Sequence, residues 1–194
     1  MANYGEIKNY DIANGPGCRV SIFMSGCSRH CPGCFNQETW DPNYGKEFTK
    51  ETIEEVLKLL EPDSIQGLTI LGGEPLEYRN AQSVLDLVNA VRERYDNKKD
   101  IWLYTGYYIN EILEKFDGEA PQLQIIDTVD AIVDGPFEQD KKDISLQFKG
   151  SSNQNILLVK KDEENKQIVF EPVNHVGPKC ETYDEHKKNV SLRY

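Results

Sequence analysis

Long apolar runs are missing from this 194-residue chain, where no stretch approaches the ~20 consecutive apolar residues of a membrane-spanning helix and only 38% of all residues are hydrophobic. No membrane association is expected. Met1 to Tyr10 has neither the basic start nor the apolar stretch of a secretory signal, so a cytoplasmic protein is expected. Positive charge is scarce as well. Lys and Arg number 22 against 33 Asp and Glu, a net charge of −11 that repels phosphate backbones and argues against a nucleic-acid partner. Cysteines number five, of which Cys27, Cys31 and Cys34 crowd into one short segment. In a reducing compartment such thiols serve as metal ligands or redox centres and not as disulfide staples.

Enough chain remains for one domain with a sizeable core. Arg19 to Met24, Gly67 to Leu71, Ile101 to Tyr104 and Val129 to Val133 read as short β-rich strands. Between them lie helical patterns. The first opens near Thr49 as its cap, carries Ile53, Val56, Leu57 and Leu60 on one face and is closed by Pro62. Val84, Leu85, Val88 and Val91 mark a second from about Ala81 to Tyr95, and Ile109, Ile112, Leu113 and Phe116 a third. Strands alternating with amphipathic helices predict right-handed βαβ units and an α/β fold with a parallel sheet, as an open layer or a barrel segment. Toward the end, Ile156 to Val159 and Gln167 to Glu171 flank a charged run like a hairpin, and the chain after Pro178 is mostly polar.

Cys27-Ser-Arg-His-Cys31-Pro-Gly-Cys34 directly follows the first of these strands, which places three thiols in one βα loop. Loops at the carboxyl ends of parallel strands carry the chemistry of such folds. Three thiolates can hold a four-iron cluster and leave one iron open for a ligand. Two other readings stand beside this one: a structural zinc site completed by His30 or Cys180, and a thiol redox centre at Cys31-Pro32-Gly33-Cys34. The third cysteine and the glycines downstream weigh against the redox centre. Cys18 and Cys180 receive no role, and His175 and His186 lie in the least patterned segment.

Gly72-Gly73-Glu74-Pro75 follows the second strand and faces the same end of the sheet, where bare backbone or the Glu74 carboxylate can accept hydrogen bonds from an ammonium group. Tyr104-Thr105 ends the third strand, and there an aromatic face and a hydroxyl can flank a base or ribose. Asp134 ends the fourth, either facing the site or capping a turn.

The three-cysteine loop followed by Gly-Gly-Glu-Pro resembles the radical S-adenosylmethionine (SAM) superfamily. Asn14-Gly15-Pro16-Gly17, Ser25-Gly26, Phe35-Asn36, Thr39-Trp40, Asp100-Ile101-Trp102, Gly106-Tyr107, Val133-Asp134-Gly135 and Gly150-Ser151-Ser152-Asn153-Gln154 are similar, more narrowly, to the activating enzymes of anaerobic (class III) ribonucleotide reductase. This resemblance implies an incomplete, TIM-like βα barrel over residues 1–155, with residues 156–194 as a C-terminal extension. It implies a [4Fe-4S] cluster on Cys27, Cys31 and Cys34, with SAM's amino and carboxylate groups on the open iron. By the same resemblance Gly73 and Glu74 hold the methionine end of SAM, Gly33 and Phe35 approach the adenine, and Tyr104 and Thr105 lie near the ribose or methionine. One departure stands out: Gly33 occupies the place before the third cysteine where superfamily members usually carry an aromatic residue. The implied partners are the large subunit of the reductase, through its glycyl radical loop, and a flavodoxin or ferredoxin-type electron donor. Two alternatives to this activity are another small radical SAM enzyme, such as the activase of a pyruvate formate-lyase-like protein, and a non-catalytic metal module.

Overall fold

A computed structural model describes residues 1–162, 167–176 and 190–191. In chain order the elements are β1 (Asn3–Asp11), β2 (Arg19–Ser25), β3 (Lys46–Glu47), α1 (Lys50–Leu60), β4 (Gly67–Gly72), α2 (Tyr78–Tyr95), β5 (Asp100–Tyr104), α3 (Ile109–Lys115), α4 (Pro121–Thr128), β6 (Ala131–Asp134), β7 (Asn155–Asp162), β8 (Gln167–Val173) and β9 (Val190–Ser191). The strands form one sheet in the order β3-β1-β2-β4-β5-β6-β7-β8-β9. Its centre, β2-β4-β5-β6, is parallel. Antiparallel strands flank that centre on both sides, β1 on β2 and β7 on β6, and the sheet does not close on itself. The fold is therefore a mixed α/β layer around a parallel core. Among the described residues no helix is long and apolar enough to cross a membrane.

Alternation along the parallel strands divides the interior in two. Val20, Ile22, Met24, Leu68, Ile70, Ile101, Leu103 and Ile132 point to the helical side, where they pack with Val56, Leu57, Leu60, Val84, Val88, Val91, Ile112, Ile125 and Ile126 in one apolar cluster. Burial of these stripes is what fixes the helices, since segments this short are marginal in water on propensity alone. The Thr49 N–H donates to Thr52 Oγ1 at 3.1 Å where α1 begins. On the opposite face Trp102, Ala131, Val133, Ile156, Leu158, Val173 and Val176 form a second cluster. Cys18 packs beside the first cluster like a small apolar residue, and His175 is exposed. Cys180 and His186 lie outside the described residues.

β1, β3 and α4 are additions to the elements read from the sequence. α4 starts on Pro121, a residue whose fixed φ and missing N–H suit the first helical position. β7 and β8 continue the central sheet: β7 pairs with β6 from Ala131↔Leu158 to Asp134↔Asn155, and β8 pairs with β7.

Candidate metal centre and active site

Every parallel strand delivers its following loop to the same end of the sheet. Immediately after β2, the Gly26 N–H donates to the Thr39 carbonyl at 2.7 Å and the Cys27 N–H to the Trp40 carbonyl at 3.3 Å. These two bonds close the base of the cysteine loop. Within it the Cys34 N–H donates to the Cys31 carbonyl at 3.1 Å around Pro32 and Gly33. Gly33 has φ +73°, the value that favours glycine at the third position of such a turn. The Asn36 N–H donates to Cys34 Sγ at 3.4 Å, so one thiol already meets a backbone donor.

The second loop is seated on the first. The Gly73 N–H donates to the Met24 carbonyl at 2.7 Å and the Glu74 N–H to the Gly26 carbonyl at 2.8 Å. A Cβ on Gly73 would lie 2.6 Å from the Gly26 carbonyl oxygen and 2.8 Å from that of Thr39, so only glycine permits this approach. The Asn80 side-chain amide, buried at the start of α2, donates to the Ser25 and Glu74 carbonyls at 2.9 Å each.

Glu74 is fully buried, and both of its carboxylate oxygens are occupied. Oε1 accepts from the Leu76 N–H at 3.0 Å and the Thr105 hydroxyl at 2.9 Å, and Oε2 from the Gly106 N–H at 2.8 Å. Burial pushes its pKa up to about 7, against the pull of those hydrogen bonds and of the Arg29 charge. The carboxylate thus joins the second loop to the third. Arg29, from the cysteine loop, lies over the Tyr107 ring at 4.7 Å and against the bare Cα of Gly106.

At the end of β5 the Tyr104 hydroxyl donates to the Phe148 carbonyl at 3.0 Å, and burial raises its pKa. Asp134, at the end of β6, accepts from the Ile109 N–H at 2.9 Å and from the Asn155 amide at 2.8 Å, which caps α3. Of the two readings of Asp134, the structure takes the cap.

These loops enclose a cavity of about 410 Å³ lined by Cys27, Cys31, Cys34, Phe35, Gly73, Glu74, Tyr104 and Thr105. Gly33 stands apart: it is absent from this lining, and a Cβ there would meet Gln139 Oε1 at 1.9 Å. Further walls come from Lys8, Ala13, Asn14, Phe23, Arg29, Asn36, Trp40, Leu71, Gly135, Phe137, Gly150 and Gln154. Asn14, Asn36, Trp40, Gly135, Gly150 and Gln154 stand in motifs of the resemblance. Phe137, whose ring centroid lies 5.1 Å from that of Phe35, carries no local sequence signal.

A family model described as a 4Fe-4S single cluster domain matches residues 13–157. The anaerobic ribonucleoside-triphosphate reductase-activating protein of Escherichia coli K12 is 42% identical over 154 residues, covering 78% of this chain and 96% of that protein. Its namesake from Enterobacteria phage T4 is 40% identical over 79% of this chain and 92% of its own, and that of Haemophilus influenzae is 35% identical over 78% and 95%. This chain belongs to the family of anaerobic ribonucleoside-triphosphate reductase-activating proteins. The match to the cluster-domain model takes in all the cavity residues of this family member except Lys8.

The donor set fits a cluster of several irons. Three thiols reach one cavity from a single loop, and an N–H already donates to one of them. Among the described residues no group of three His, Cys, Asp or Glu side chains is placed to hold a single metal ion. Burial, with Glu74 adding to it, pushes the Cys27 pKa up to about 11, which leaves its proton to be displaced by metal.

Proposed function

We propose that this chain activates anaerobic ribonucleotide reductase by generating a glycyl radical on its large subunit. The supporting observation is that the three thiols, the Gly72-Gly73 backbone and the Tyr104-Thr105 strand end share one cavity. Cys27, Cys31 and Cys34 hold a [4Fe-4S] cluster, and SAM occupies the space beside it. With both bound, one electron entering the sulfonium–carbon bond gives methionine and a 5′-deoxyadenosyl radical, which takes a hydrogen atom from the glycine Cα of the reductase.

The chain's own residues supply place and shelter. Gly73 offers bare backbone to the methionine end of SAM, and Glu74 sets the third loop against it through Thr105 and Gly106. Phe35 and Phe137 present an apolar wall for the adenine, with Gly33 supporting the turn beneath Phe35. Tyr104 and Thr105 close the side nearest the ribose. The parallel strands act as the arc of a partial barrel whose open side admits the reductase's glycine loop. Residues 1–155 form the catalytic core and 156–194 the extension, a flavodoxin or ferredoxin-type protein supplies the electron, and the protein works in the cytoplasm.

Anaerobic reconstitution with iron and sulfide, then dithionite and SAM, tests the proposal. About four irons per chain, with methionine and 5′-deoxyadenosine released, support it, and a glycyl radical signal on added reductase identifies the partner. One zinc per chain, or a cluster that leaves SAM intact even with the reductase present, refutes it in favour of a structural metal module.

A further inference from the structure

We infer that the indole N–H of Trp40 donates a hydrogen bond to a sulfur of the iron–sulfur cluster and raises its reduction potential. The inference rests on the proposal that Cys27, Cys31 and Cys34 hold that cluster. Trp40 ends the 3₁₀ turn Gln37–Trp40, and its carbonyl accepts the Cys27 N–H at 3.3 Å, so the residue is tied to the backbone of the first cysteine. Its ring stacks on His30 with centroids 4.7 Å apart and planes at 30°. Trp40 and Cys27 both line the cavity that receives the three thiols, and both also line a second cavity of about 300 Å³. The indole is therefore a wall of the cluster site.

Its Nε1 is buried and has no acceptor among the described residues. An indole nitrogen can only donate, and a buried donor left without an acceptor is costly enough that folded proteins rarely keep one. Trp102 is the chain's other tryptophan, and its Nε1 is orphaned too, but that ring lies in the second apolar cluster and does not line the cavity. Only the Trp40 orphan borders a space that sulfur acceptors are to fill. Thiolate and sulfide sulfurs accept such bonds, as Cys34 Sγ already does from the Asn36 N–H. Reduction adds negative charge to the cluster, so an N–H···S bond strengthens in the reduced state and favours it.

The test compares the full-length wild type with Trp40→Phe, both reconstituted anaerobically without SAM and titrated potentiometrically under electron paramagnetic resonance. At the potential that half-reduces the wild type, the expected result is a several-fold lower ratio of reduced to oxidised cluster in the variant at equal iron content. An unchanged midpoint overturns the inference. Should the variant fail to take up iron, wild type labelled with ¹⁵N-indole tryptophan decides the matter by pulsed resonance on the reduced cluster. A ¹⁵N coupling that persists in Trp102→Phe supports the bond, and its absence from an intact cluster overturns it. Wild type that takes up no four-iron cluster overturns the cluster reading itself, an outcome visible in the iron count before any potential is measured.

Discussion

The Thr105 hydroxyl donates to Glu74 Oε1 at 2.9 Å while the neighbouring Gly106 N–H donates to Oε2 at 2.8 Å, so one buried carboxylate joins loops 31 residues apart in sequence. On the proposed function, a side chain in this position acts on SAM through the loops it holds. Glu74→Ala orphans three donors, two of them buried and worth ~1–3 kcal/mol each when left unpaired. The variant is expected to keep its iron, because no thiol is touched, and to bind SAM at least ~10-fold more weakly. Glu74→Gln keeps one acceptor oxygen and should lose less. Iron content and equilibrium SAM binding on the reconstituted variants check both. Loss of iron in Glu74→Ala would mean that the carboxylate shapes the cysteine loop as well.

Gly73 is held to glycine by crowding and not by its φ. A Cβ there meets two backbone oxygens, of Gly26 and Thr39, at 2.6 and 2.8 Å, and neither can move without opening the base of the cysteine loop. Gly73→Ala is therefore expected to lower stability by ~1–3 kcal/mol, the usual cost of overpacking, and to reduce iron uptake. Gly118 is the control. It has φ +57° with nothing within 4 Å of a Cβ, so Gly118→Ala should cost only the left-handed backbone term of ~1 kcal/mol and leave iron uptake intact. Urea midpoints and iron content of the two variants separate these effects.

Legibility in the sequence follows from how local each signal is. The four parallel strands and three of the helices show because buried strands read as apolar runs and their helices as 3.6-residue stripes, as in Val84, Leu85, Val88 and Val91. β1 does not show. Tyr4 is its only buried residue, and a strand with so little of itself buried leaves no apolar pattern. The candidate site shows where several cavity-lining residues follow one strand, as with Cys27, Cys31 and Cys34 after β2. It fails to show where the chain returns from afar: Gln139 lies against Gly33 across more than a hundred residues, where the resemblance implies adenine. Glu74 was legible as a candidate residue after the second strand, and it lines the cavity, but the partners that occupy its oxygens were not legible.

Asp134 gives the metal-free protein a pH dependence with a definite sign. Burial is the largest influence and holds its carboxyl above the ordinary range, although it caps α3 through the Ile109 N–H and accepts from Asn155. A carboxyl whose folded pKa is raised binds its proton more tightly in the folded chain. Its stabilising contribution is complete below the unfolded pKa and is lost as pH rises through the folded value. Asp134→Asn cannot titrate and keeps one acceptor oxygen for two donors, at a cost of ~1 kcal/mol. The gap in urea midpoint between wild type and variant should be widest in acid and narrow toward neutral pH. A gap that widens with pH would show that hydrogen bonding outweighs burial at this carboxyl.

Arg19, the first residue of β2, is fully buried and ties the β1–β2 connection to β4 and β5. Its Nε donates to Thr69 Oγ1 at 2.7 Å, Nη1 to the Pro16 carbonyl at 3.1 Å and Nη2 to the Leu68 carbonyl at 2.8 Å, and Nη2 also pairs with the Asp100 carboxylate. The Thr69 hydroxyl passes the tie on to the carbonyl of Asn14, a cavity-lining residue, at 2.8 Å. Arg19→Met removes one partner of a buried pair and leaves Asp100 with less to neutralise it, a loss of ~3–5 kcal/mol. Arg19→Lys should rescue little, because an ammonium cannot reproduce the planar fork that reaches Thr69, Pro16 and Asp100 together. If the loss comes from the stranded charge, Arg19→Met combined with Asp100→Asn should cost less than the sum of the two single variants. Urea denaturation of all three closes that cycle. Strict additivity would place the whole cost in the lost hold on Pro16 and Thr69, and the Asn14 segment would then be the part of the cavity that loosens first.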